Sequence, residues 1–84
     1  MAVNLAYTSD MEGDFVPAIF TVIIHPNEGI PGYWAESPDL PGCFTDGDTI
    51  KETEKNMYES VSLFLEDDYP EIIDFSLNFK VQHA

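Results

Sequence analysis

Arginine is absent from this 84-residue chain, and lysine occurs only at Lys51, Lys55 and Lys80, against sixteen aspartates and glutamates. The formal net charge of −13 repels phosphate backbones at neutral pH, so direct binding of nucleic acid is not expected. Anionic bilayer surfaces are disfavoured for the same reason, and no apolar run approaches the ~18–20 residues that a membrane-spanning helix needs. Cysteine is nearly missing too: Cys43 stands alone and has no partner in the chain for a disulfide. With no basic, apolar signal-peptide start, this usage points to a reducing cytoplasm. Neither a histidine nor an arginine lies close in sequence to activate that thiol, so a buried, inert cysteine is the expectation. There is no glycine-rich phosphate loop, and with no arginine a nucleotide site is not expected.

What remains is ordinary for a folded protein. Hydrophobic residues make up 44% and aromatics 13% of the sequence, enough for a core despite the charge imbalance. The length suits one domain, and the readable pattern assigns a loosely ordered leader to residues 1–14 and a domain to residues 15–84. From Phe15 to His25 the run FVPAIFTVIIH is rich in β-branched and aromatic residues and closes at Pro26, which predicts a strand. Alternation places Ala18, Phe20, Val22 and Ile24 on one face and Ile19, Thr21, Ile23 and His25 on the other. Neither set is solvent-like, so the strand is expected to be central and covered on both sides.

Asn27 to Gly32 holds two glycines and Pro31 and predicts a hairpin loop, followed by a short strand over Tyr33 to Ser37. The stretch PDLPGCFTDGDT leaves room for a tight loop and a brief third strand around Cys43 to Thr45. Thr49 with Glu52 three residues later forms a capping box, the start signal of a helix that must end by Tyr69, before Pro70. Inside it Ile50, Thr53, Met57, Val61 and Phe64 recur at helical spacing and predict the buried stripe, with Lys51, Glu52, Lys55, Glu59, Ser62 and Glu66 facing outward. Glu66, Asp67 and Asp68 sit at the negative end of the helix dipole, an electrostatic conflict. Finally, Phe75, Leu77, Phe79 and Val81 alternate with Ser76, Asn78, Lys80 and Gln82, the mark of a strand with one buried face. The fold class is therefore α+β in the order β-β-β-α-β: an antiparallel meander plus one parallel crossover strand, with a single helix on one face.

The segment GYWAESPDLPGCFTDGDTIKETEKNMYESVSLFL, Gly32 to Leu65, resembles the HicB family of antitoxins, most specifically in PDLPGCFTDGDT. With the flanking strands the likeness runs over about residues 15 to 82. It implies a partial ribonuclease-H-like fold, in agreement with the order read from periodicity. It also implies a partner, a small basic RNA-cleaving toxin of the HicA type, whose active surface the chain would mask; the charge of −13 suits that partner. Two-domain members add a C-terminal DNA-binding module, whereas this sequence stops at Ala84, so promoter binding by this chain alone is not expected. Thr53 and Ser60 stand where the family often has alanine, a slight loss of helix propensity. The alternative reading is an orphan HicB-like oligomeric scaffold, regulator or small-ligand binder without a toxin.

Candidate binding residues follow from the loop and its flanks. Pro38, Asp39, Leu40 and Pro41 either present a rigid apolar bump or simply shape a turn. Trp34 and Phe44 are either aromatic anchors for a partner or sheet-filling groups, with Leu40 as a further apolar candidate and Glu36 and Asp39 as charged ones. Ile19 and Ile23, on the face that one helix cannot cover, predict a homo-oligomer, dimer or tetramer, unless the leader around Leu5 to Tyr7 folds over them. No metal or cofactor is expected. Asp46 to Asp48 lack the further ligands of a calcium loop, and His25 and His83 have no accompanying ligand cluster. No catalytic residue is expected either, because the first strand's interior, Ala18 to Ile24, holds no carboxylate of the kind that two-metal nuclease chemistry requires.

Overall fold

A computed structural model describes residues 18–83; the expectations for the leader and for residues 15–17 of the first strand lie outside them. Four strands and one helix follow in the order β1 (Ala18–Pro26), β2 (Tyr33–Glu36), β3 (Phe44–Gly47), α1 (Ile50–Asp68) and β4 (Phe75–Val81). The sheet order is β3-β2-β1-β4, with β1 antiparallel to β2, β2 antiparallel to β3, and β4 parallel to β1. The α+β class and the crossover read from the sequence are thus present.

Each boundary has a local cause. The β1–β2 loop closes with the Asn27 amide N–H donating to the Gly32 carbonyl at 2.9 Å. At Gly32 φ is +110° and an added Cβ would lie 2.9 Å from the Asn27 side chain, so only glycine fits. The capping box at the start of α1 is complete: the Glu52 amide donates to Thr49 Oγ1 at 3.0 Å, and the Asp48 amide donates to Glu52 Oε1 at 2.8 Å. The helix ends at Tyr69, whose amide donates to the Leu65 carbonyl at 2.7 Å, one residue before Pro70.

The core lies between α1 and one sheet face, where Val22, Ile24, Ala35, Leu40, Cys43, Met57, Val61 and Leu65 are buried and Phe20, Leu77 and Phe79 pack partly against them. Two expectations change here. The helix stripe runs through Thr53, Met57, Val61 and Leu65, not Phe64, because Leu65 completes an unbroken i, i+4 row while Phe64 is displaced to its flank and only partly buried. β3 begins one residue later than expected and reaches Gly47, since Cys43 belongs to the loop, its amide donating to the Leu40 carbonyl at 3.0 Å. Thr53 needs no alanine-like substitute: its hydroxyl donates to the Thr49 carbonyl at 2.7 Å, so its complete burial leaves no polar atom unmatched.

β1 is central in the sheet, as expected, but among the described residues it is covered on one face only. Val22 and Ile24 are fully buried beneath the helix layer, whereas Ile19 on the other face is 68% exposed. The reason is the helix count: α1 is the only helix among the described residues, and it takes one side.

Candidate functional site

The uncovered sheet face is built by strand alternation and register. Phe44, Glu36, Ile23 and Lys80 lie in one cross-strand row, and Asp46, Trp34 and His25 in the next. A third row pairs Thr21 with Asn78, and beyond it Ile19 is opposite Ser76. Ile19 and Phe44 are largely exposed and Trp34 is 38% exposed, so the face carries apolar groups set among a few polar ones.

Its most structured part is a three-residue cluster. The His25 ring stacks on the Trp34 indole at a centroid distance of 4.3 Å and an interplanar angle of 18°. His25 Nε2 lies 2.8 Å from Glu36 Oε2, and because an ionised carboxylate only accepts, the imidazole is the donor. Indole, imidazole and carboxylate therefore hold one another in place, and a shallow depression of about 710 Å³ opens beside them toward the hairpin, bordered by Asn27, Glu28, Gln82 and His83.

Charge is distributed very unevenly over the molecule. The four strands together contain Glu36, Asp46 and Lys80 as their only formally charged residues. Between Lys55 and Lys80, by contrast, no basic residue occurs, while Glu59, Glu66, Asp67, Asp68, Glu71 and Asp74 all do, every one of them exposed. The last turn of α1 has no basic residue. Among the described residues the carboxylates' contacts with basic side chains are the His25–Glu36 hydrogen bond and, weakly at 3.9 Å, the ion pair of Lys55 with Glu59.

The residues singled out from the sequence fall into two groups. Trp34, Glu36 and Phe44 share the open face with Ile19 and Ile23, so what sequence spacing presents as a partner site and a separate self-association face is one surface. Asp39 and Leu40 do not join it as free groups. Leu40 is 4% exposed and packs into the core, because the turn from Ser37 folds it inward; it offers a partner almost no surface. Asp39 Oδ2 accepts the Thr21 amide N–H at 2.8 Å, and Ser37 Oγ donates to the Thr21 carbonyl at 2.7 Å. These two side chains continue on β1 the ladder that β2 leaves at Glu36, which is why serine and aspartate bracket the proline of this loop. His25, Ser37 and Lys80 were not singled out for the site. Parity along each strand gives their faces, but only the register shows what each one meets.

Other chemistry is thinly represented. Burial raises the pKa of the Cys43 thiol above its ordinary value, the opposite of what a nucleophile requires. Among the described residues no group of three or more histidine, cysteine, aspartate or glutamate side chains is placed to hold a metal ion. No helix of the described residues is long and apolar enough to cross a membrane.

A family model described as the HicB-like antitoxin of bacterial toxin-antitoxin systems matches residues 20–77, from within β1 into β4. The chain belongs to the HicB-like antitoxin family. Two proteins of the UPF0150 group are similar to it. One, from Synechocystis sp., is 40% identical over 50 residues, 60% of this chain and 68% of its own. The other, from Thermoplasma acidophilum, is 44% identical over 48 residues, 56% of this chain and 67% of its own. An uncharacterized 14.9 kDa protein from the rep-hol intergenic region of Haemophilus phage HP1 is 46% identical over 35 residues, 42% of this chain. The HicB-like chain matches only 26% of that phage protein's length. No solved structure matches significantly. Membership carries the antitoxin role and a toxin partner at the level of the family.

Proposed function

We propose that this HicB-like protein neutralises a small, basic, RNA-cleaving toxin of the HicA type by covering its cationic active surface, in the cytoplasm, and that it does so as a homo-oligomer. The observation that carries the reading is the chain's electrostatics within its family: a net charge of −13, with most carboxylates of the described residues exposed and outside any ion pair, is matched to a cationic protein. Such a field steers encounter, while affinity comes from a few apolar anchors.

Self-association and toxin binding make opposite electrostatic demands. Two copies of so acidic a chain repel one another unless they meet where charge is sparse, and the open sheet face is that place. Ile19, Ile23, Trp34 and Phe44 supply apolar contact there, with few charges between them. Coexpression with a HicA-type toxin tests the main reading: the toxin copurifies and its RNA cleavage stops. Free toxin and unabated cleavage leave the orphan scaffold as the function. Light scattering tests the assembly: the wild type exceeds the monomer mass and Ile19→Asp returns it toward monomer, whereas a wild-type monomer at micromolar concentration refutes the oligomer.

A further inference from the structure

A second surface lies on the opposite side of the molecule, where α1 ends and the chain turns into β4. Leu65, Pro70, Ile72, Ile73 and Phe75 line an apolar groove of about 300 Å³, with Glu66 at its rim. Ile73 is 79% exposed and Tyr69, at the end of α1, 44%, so large apolar groups stand out of the surface here. Asp68, Glu71 and Asp74 flank the groove's residues along the chain, all exposed, and no described ion pair uses any of them.

This arrangement is costly for the isolated protein. Carboxylates at a helix C-terminus oppose the dipole, and here three consecutive ones, Glu66, Asp67 and Asp68, close the helix with no basic residue in its last turn. Solubility does not require acids at this spot, since the rest of the surface is already strongly negative. A cationic partner removes both the dipole conflict and the mutual repulsion when it docks. Exposed aliphatic groups within an anionic rim fit a basic protein surface that contributes its own apolar side chain to the groove; phosphate-bearing partners and further copies of this chain are repelled.

We infer that the groove at the α1–β4 turn, with Ile73, Glu66 and the carboxylates beside them in the chain, is the docking surface for the basic toxin, leaving the open sheet face to a second copy. The inference rests on the antitoxin reading and adds the location of the contact. Because the two surfaces lie on different sides, one oligomer holds toxin on each subunit without losing its own interface.

Amide NMR spectra of the full chain titrated with a purified HicA-type toxin test this, alongside two variants. One is Ile73→Ser, at a position too exposed to matter for folding; the other combines Glu66→Gln, Asp67→Asn, Asp68→Asn, Glu71→Gln and Asp74→Asn. Shifts concentrate within residues 63–75, Ile73→Ser weakens binding about tenfold, the expected scale for an anchor residue, and the neutralised variant binds more weakly still, with a flattened salt dependence. The same neutralised variant melts at a higher temperature than the wild type, so lost binding is not lost folding. Shifts centred on Ile23, Trp34 and Lys80, with both variants binding normally, overturn the location and leave the antitoxin reading standing. A wild-type chain that neither binds nor inhibits the toxin overturns both.

Discussion

Gly47 shows how much a single residue decides. Its φ is not in the left-handed region; the constraint is space, because a Cβ there would lie 2.6 Å from Thr53 Oγ1 and 2.8 Å from the Thr53 amide nitrogen. The end of β3 and the start of α1 therefore touch backbone to backbone. Gly47→Ala is expected to lower stability by ~1–3 kcal/mol, as overfilling a tight contact does, measured by urea denaturation. Adding Thr53→Ala recovers only part of the loss, since the amide remains in the way. Cys43 makes a different prediction. Its thiol holds its proton more tightly folded than unfolded, so above the ordinary thiol value the unfolded chain binds fewer protons and gains by ionising. The thiol's contribution is complete below that value and is lost as pH rises toward the higher folded one. Urea midpoints from pH 7 to 10 in wild type and Cys43→Ala measure it: the alkaline decline is steeper in the wild type. The burial of Cys43 was expected from the sequence and is found, whereas the close approach at Gly47 is not visible there.

At the scale of elements, the helix was the most legible because its signals are local. Thr49, Glu52 and Pro70 mark its two ends, and both ends are found where those residues put them. Thr49→Ala removes the acceptor for the Glu52 amide and is expected to cost ~0.5–2 kcal/mol, read as a lower thermal midpoint with unchanged toxin binding. Less legible was which residue finishes the buried row, since Phe64 and Leu65 differ by one step of about 100° and both are apolar. The short strands differ from expectation by one or two residues at their ends, β2 stopping at Glu36 instead of Ser37 and β3 running from Phe44 to Gly47, for a similar reason: loop hydrogen bonds such as that from Cys43 to Leu40 form only once the core has placed Leu40. Asp39 is the clearest case of a role hidden from spacing. Its partner Thr21 is eighteen residues away, and nothing in PDLPG announces that the acid repairs the backbone ladder of another strand.

For the whole molecule, composition gave the sign of the net charge and topology gave where that charge is concentrated. The strands were readable as nearly neutral and the helix region as acidic, yet only the assembled sheet showed that Trp34, Glu36, Phe44, Ile19 and Ile23 share one face. With −13 charges on so small a body, self-repulsion opposes compaction at low ionic strength. Raising sodium chloride from 10 to 300 mM (about 30 Å to under 8 Å of screening length) is expected to raise the thermal midpoint by several degrees, because ~1 kcal/mol moves it ~4–8 °C in a domain of this size. The same salt weakens toxin binding. Calorimetry and a binding titration run in the same buffers separate the two trends.

The parallel pairing of β1 with β4 sets the order in which the protein becomes complete. β1 leaves the ribosome well before β4, but its register with β4 runs from Ala18 opposite Phe75 to Ile24 opposite Val81. Until residue 81 has been made, this isoleucine-rich strand has an unoccupied flank and the chain is vulnerable to proteases and to pairing with its neighbours. A ribosome that stalls before residue 81 therefore releases a chain whose sheet is unfinished, with β1 lacking the strand that lies parallel to it.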